Sequence, residues 1–226
     1  MKKPLILVTN DDGIDSKGIR LLVSIMSKFG EVVVVAPDSP QSGMGHAITV
    51  GDKLRLVKSD LFGEIEAYKC SGTPADCVKI AKHHILKSKK IDLITSGINH
   101  GSNSSISVLY SGTMSAAIEG AIENIPSIGF SLCDYDPNAY LKHSKPFIKI
   151  VVENALKSGI PESIALNVNI PSISSEGIKG FKICKQANAV WEEKFDKRID
   201  PYGREYFWMF GNLVNNDKGK DNDEWA

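Results

Sequence analysis

The chain has 226 residues, 42% hydrophobic and 24% charged, with 27 basic against 27 acidic side chains and zero formal net charge. This is room for one α/β domain with an appendage, or one large domain, in the composition of an ordinary globular protein. Neutral charge argues against a general nucleic-acid surface, which needs a basic excess, and no run approaches the roughly 18 apolar residues of a membrane span.

Met1-Lys2-Lys3 leads straight into Pro4-Leu5-Ile6-Leu7-Val8, an apolar run too short for the core of a signal peptide. It reads instead as a buried strand, and Ile19 to Met26 repeats its apolar residues at helical spacing. Asp11 and Asp12 lie where the strand hands over to the helix, at the carboxyl end of a strand, where open α/β sheets bind ligands. Adjacent carboxylates repel unless a cation lies between them, and oxygen ligands suit a hard ion such as Mg²⁺ or Mn²⁺. A purely local reading also fits: Asp11 or Asp12 caps the helix and Gly13 makes the turn.

Glu31 to Pro37 is an uninterrupted β-branched run, expected as a parallel strand covered on both faces. The polar loop Asp38 to His46 follows, on the same sheet edge as the Asp pair. Residues 48–50 and 54–57 alternate as half-exposed strands, and Glu66 to Cys70 returns to the sheet. Thr73, Pro74 and Asp76 form a capping box for a helix reaching about Lys87. Ile91 to Gly97 is a further strand, ending in a long loop over residues 97–105. Its amides and hydroxyls suit a neutral metal ligand or a bound anion, with Asn99 foremost; a plain surface loop with Asn-made turns is the alternative.

Ser111-Gly112-Thr113 opens a helix of small residues. Its unpaired N–H groups and dipole favour an anion, and the same small residues suit tight packing on the sheet. Strands at 126–132 and 165–171 and a helix at 146–156 complete the sheet. Residues 177–214 then concentrate aromatics, among them Phe195, Tyr206, Phe207 and Trp208, around a turn at Asp200 to Gly203. This is the pattern of a β-hairpin arm, which needs cover from the core or from another subunit. The polar tail 215–224 reads as loop or disorder. The expected organisation is an α/β core of mainly parallel sheet over 1–175, helices on both faces, and an arm and tail over 176–226. Cys70, Cys77, Cys133 and Cys184 show no metal spacing and read as reduced core residues of a cytoplasmic protein.

Four segments carry a resemblance. Val8 to Gly13, Ala36-Pro37-Asp38 with Gln41-Ser42-Gly43, Ser71 to Cys77, and Ser96 to Gly101 with Ser111-Gly112-Thr113 are similar, in order and spacing, to the SurE survival-protein family. Pro201-Tyr202-Gly203 and Tyr206-Phe207-Trp208 extend the likeness over nearly the whole chain. The resemblance implies a Rossmann-like core and a metal-dependent 5′(3′)-nucleoside-monophosphate phosphatase. It also implies a homodimer or homotetramer joined through the hairpin arm. Asp11, Asp12, Ser42 and Asn99 would be the ligands of one Mg²⁺ or Mn²⁺ per subunit. Family members continue past the acidic tail into a strand and a short helix, whereas this sequence stops at Trp225-Ala226. A missing terminal portion is therefore expected, and any catalytic histidine in it would be missing too.

On this reading Asp11 or Asp12 is a metal ligand or acts instead as general base, and Gly43, Asn99, Ser111, Gly112 and Thr113 cradle the phosphate. His46 or His100 protonates the leaving alkoxide. The substrate is a nucleoside monophosphate, with neither a nucleic-acid polymer nor a membrane as partner. A sugar-nucleotide transferase or a non-catalytic nucleotide sensor on a similar fold would share the same crevice.

Overall fold

The run Leu5–Thr9 forms β1, buried throughout, at the centre of a seven-stranded sheet. The structure is a computed structural model that describes residues 3–174 and 176–226. Met1 and Lys2, and Ser175 where the expected core ends, lie outside the described residues.

In chain order β1 is followed by α1 (Lys17–Met26), β2 (Glu31–Pro37), β3 (Leu56–Lys58), β4 (Glu66–Cys70) and α2 (Pro74–Ile80). Next come β5 (Leu93–His100), α3 (Gly112–Ile122), β6 (Ser127–Cys133), α4 (Lys145–Ser158) and β7 (Ala165–Pro171). The sheet order is β3-β4-β2-β1-β5-β6-β7, parallel everywhere except between β3 and β4. Without the short β3 this is the doubly wound Rossmann arrangement, with its switch point between β1 and β5.

Alternate residues of a strand face opposite ways, so β1 serves two cores. Ile6 and Val8 pack with Ile19, Leu22 and Ile25 of α1 and with Ile148 and Val152 of α4. Leu5 and Leu7 pack with Cys77 and Val78 of α2 and Ala116 of α3. Each fully buried Ile or Leu contributes about 1.5–3 kcal/mol. The helices grip the sheet closely: a Cβ at Gly18 would fall 2.2 Å from the Ile98 carbonyl oxygen.

Helix α1 is capped by Ser16, whose hydroxyl accepts from the Ile19 N–H. Neither Asp11 nor Asp12 performs that task, so the capping half of the local reading is overturned, whereas Gly13 does make the turn at φ +87°. The capping box of Thr73 and Asp76 is present, and α2 continues into a π-helical turn at Ala81–Ile85. Two expectations are corrected. Residues 48–50 are not a strand, because Thr49 gives its N–H and hydroxyl to the Asp76 carboxylate at the start of α2. The loop expected from residue 97 begins later, since β5 pairs with β6 as far as His100. The tail beyond Asn215 is loop, as expected, and is held by side-chain bonds.

That tail belongs to a second unit, made of Ser104–Ile106 and Phe181–Ala226. Here β8 (Ala189–Ile199) and β9 (Glu205–Asn215) pair as an antiparallel hairpin. The Asp200 N–H bonds the Arg204 carbonyl, and Gly203 turns at φ +79°. In the tail, the Asp223 carboxylate accepts from the N–H groups of Ser105 and Ala187, each at 2.8 Å. Phe195, Tyr206, Phe207, Trp208, Met209 and Phe210 are exposed. All four cysteines are free, and no helix among the described residues is long and apolar enough to cross a membrane.

Candidate active site

Register places the first pair of candidates. Thr9 at the end of β1 pairs with Ser96 of β5, and three residues beyond each lie Asp12 and Asn99. Both therefore stand at the switch point, the crevice that this topology opens.

Asp11 is 4% exposed and accepts a hydrogen bond from the Thr113 hydroxyl, one residue into α3 from Gly112. A Cβ on Gly112 would come within 2.5 Å of the Asp11 Cβ and 2.9 Å of its Oδ2. The positive end of α3 thus abuts the carboxylate because its first residue is glycine. Burial still pushes the Asp11 carboxyl up to about 6; the Thr113 bond opposes this and the Asp12 charge adds to it. Burial raises Asp12 as well. Its Oδ2 is buried with no hydrogen-bond partner.

Among the described residues no Lys, Arg or His pairs with either carboxylate. Two adjacent, desolvated carboxylates without a counter-charge are costly, and a divalent cation answers both the charge and the orphaned oxygen. No group of three or more His, Cys, Asp or Glu is placed to hold a metal ion among the described residues. The donors that Asp11 and Asp12 themselves offer are oxygens, which suit a hard cation.

Ser42 and Gly43 occupy the middle of a turn in which the Met44 N–H bonds the Gln41 carbonyl. Gly43 has φ +76°, which the third position of a type II turn requires. The Gln41 N–H donates to the Asp11 carbonyl at 2.7 Å and so ties the turn to the Asp pair. Asn99 is half-buried and donates its Nδ2 to the Gly101 carbonyl at 2.9 Å. No direct bond joins Ser42 or the Asn99 side chain to either carboxylate among the described residues.

The Ser111 oxygen accepts from the Met114 N–H at 3.0 Å as the N-cap of α3, which leaves its proton free to donate. Thr113 has given its hydroxyl to Asp11, so towards an anion it offers only its backbone. His100 is half-buried with an unpartnered Nδ1. His46 is held through Nε2 by Glu119, at 2.8 Å. Sequence reasoning missed the Thr113–Asp11 bond and Glu119 altogether. The signal for Glu119 was there: a lone carboxylate in the small-residue run Ser111 to Ala121.

Compared with known families, residues 6–193 match the model of the survival protein SurE. The chain belongs to the SurE family. One SurE relative, from Cytophaga hutchinsonii, is 67% identical over 226 residues, spanning all of this chain and 87% of that protein. Another, from Flavobacterium psychrophilum, is 60% identical, spanning all of this chain and 88% of its own length. Both carry the name 5′-nucleotidase SurE. The crystal structure of SurE from Aquifex aeolicus matches with a TM-score of 0.84 at 40% identity, covering 99% of this chain and 88% of that one. The SurE fold and the sequence motifs therefore point the same way.

Proposed function

We propose that this chain is a divalent-metal-dependent phosphatase that hydrolyses nucleoside 5′- and 3′-monophosphates to nucleoside and phosphate. One observation carries the reading: Asp11 and Asp12 are desolvated and without a counter-cation at the sheet's switch point, with Asp11 against the N-terminus of α3. The relatives' name, 5′-nucleotidase, favours hydrolysis over a transferase or a sensor.

Asp11, Asp12, Ser42 and Asn99 would hold one Mg²⁺ or Mn²⁺. When bound, the ion supplies neutralisation of the phosphoryl oxygens and activation of a water nucleophile. The chain's own groups do the rest. The N–H groups of Gly43, Gly112 and Thr113 and the Ser111 hydroxyl bind the phosphoryl oxygens, with the α3 dipole behind them. Water attacks phosphorus, the ester P–O bond breaks, and His46 or His100 gives the leaving alkoxide its proton. Asp11 or Asp12 takes the proton from the water. The protein works in the cytoplasm as a homodimer or homotetramer joined through the β8–β9 arm.

The test is turnover of nucleoside monophosphates with Mg²⁺ or Mn²⁺, with chelator, and in Asp12→Asn. Chelator should abolish turnover, and the substitution should lower kcat/KM about 100-fold or more. Turnover indifferent to both would sink the metal mechanism; phosphate-free binding of the nucleotide would favour a sensor.

A further inference from the structure

Glu119 has no role of its own in the chemistry above, although it bonds His46, one of the two candidate acids, and only 3% of its side chain is exposed. It lies on α3 two turns beyond Gly112. Lys79 of α2 meets it at 2.6 Å and His46 at 2.8 Å. A buried carboxylate is tolerated only where its partners are fixed, and Lys79 alone would satisfy its charge. The second partner, His46, is the last residue of the polar loop that begins after β2.

That loop is tied down on both sides of the Ser42 turn. Before the turn, the Gln41 N–H bonds the Asp11 carbonyl. After it, the Gly45 N–H bonds the Tyr110 carbonyl at 3.2 Å, and the Ala47 carbonyl accepts from the Thr73 hydroxyl at 2.7 Å. A Cβ on Gly45 would fall 2.7 Å from the Leu109 carbonyl oxygen, and its φ is +59°. The His46–Glu119 contact is the side-chain tie nearest Ser42 on this second side. Through it α3 touches both halves of the candidate site: Gly112 and Thr113 meet Asp11, and Glu119 holds the loop that carries Ser42.

We propose that Glu119 is a positioning residue that acts through His46, fixing the loop so that Ser42 is presented to the ion and the substrate at the right depth. This rests on the assignment of Ser42 as an ion ligand.

The experiment measures Mn²⁺ affinity from the free-ion paramagnetic resonance signal, alongside AMP hydrolysis. Glu119→Gln and His46→Ala should each weaken Mn²⁺ binding about 10–100-fold, a readout that loss of His46 as a proton donor would not move. The double variant should be no worse than the poorer single. His46→Gln, whose side-chain amide can donate to Glu119, should recover most of the affinity. Wild-type Mn²⁺ affinity in either single variant, or effects that add in the double, would overturn the relay. If Glu119→Gln does not fold, His46→Ala and His46→Gln decide the matter alone. A wild-type protein that binds Mn²⁺ but hydrolyses no nucleotide would refute the proposed function, while the Mn²⁺ series would still judge the tether. A wild-type protein that binds no Mn²⁺ would refute both.

Discussion

At the scale of single residues, Asp11 decides how the site answers to pH. Its carboxyl titrates at about 6 in the fold, against an ordinary 3.8, because burial disfavours the charged form more than Thr113 supports it. The ion-free protein therefore binds this proton more tightly folded than unfolded. The group's stabilising contribution is complete below about pH 4 and is lost as pH rises through about 6, an effect on the order of 3 kcal/mol. A divalent ion needs the carboxylate, so the linkage with metal runs the other way. Ion affinity should climb as pH rises through about 6, with a proton released on binding at the lower end. Calorimetric titration of Mn²⁺ in two buffers of different ionisation enthalpy checks both points. An affinity that is flat with pH would mean that Asp11 does not both titrate in this range and ligate the ion. Thr113→Val, which removes the bond that favours the charge, should move the midpoint to higher pH.

At the scale of elements, α3 is the piece on which the site is assembled, and its first residue is the sensitive one. Gly112→Ala introduces a better helix former, yet its Cβ would lie 2.5 Å from the Asp11 Cβ. The carboxylate or the helix has to move. A displacement of about 1 Å costs on the order of 100-fold in rate, so kcat/KM should fall that far while the circular-dichroism spectrum stays unchanged. Full activity in this variant would show that the close approach is not needed. The same helix marks the limit of what the sequence made legible. Helix starts governed by neighbours in the chain, such as Thr73 with Asp76 or Ser111 with Met114, could be read directly, as could the uninterrupted strand Glu31–Pro37. Thr49 could not, because its bonds go to a residue 27 positions away. Nor could the reach of β5 to His100, which depends on register with β6, or the Thr113–Asp11 bond between residues 102 positions apart. Asp11, Asp12, Ser42 and Asn99 were proposed as a set through the family resemblance; what each of them touches is a property of the fold.

At the scale of the whole molecule, the hairpin β8–β9 carries a run of exposed aromatics, with Trp208 at 61% and Phe207 at 56%. Apolar surface of this kind on a two-stranded ribbon calls for a cover. Replacing Phe207 and Trp208 together by Ser should shift sedimentation towards a smaller species with the Mn²⁺ site intact; an unchanged sedimentation coefficient would remove the arm from the assembly. The sheet order has a different consequence, one of timing. The central strand is the first to be made, but its partner β5 comes much later, Ile6 pairing with Leu93. At about 5–20 residues per second of synthesis, β1 stays without its neighbour on that side for roughly 5–20 s after it leaves the ribosome. Until then the two carboxylates that follow β1 have no finished crevice to sit in. The nascent chain is open to mispairing and to chaperones throughout this interval.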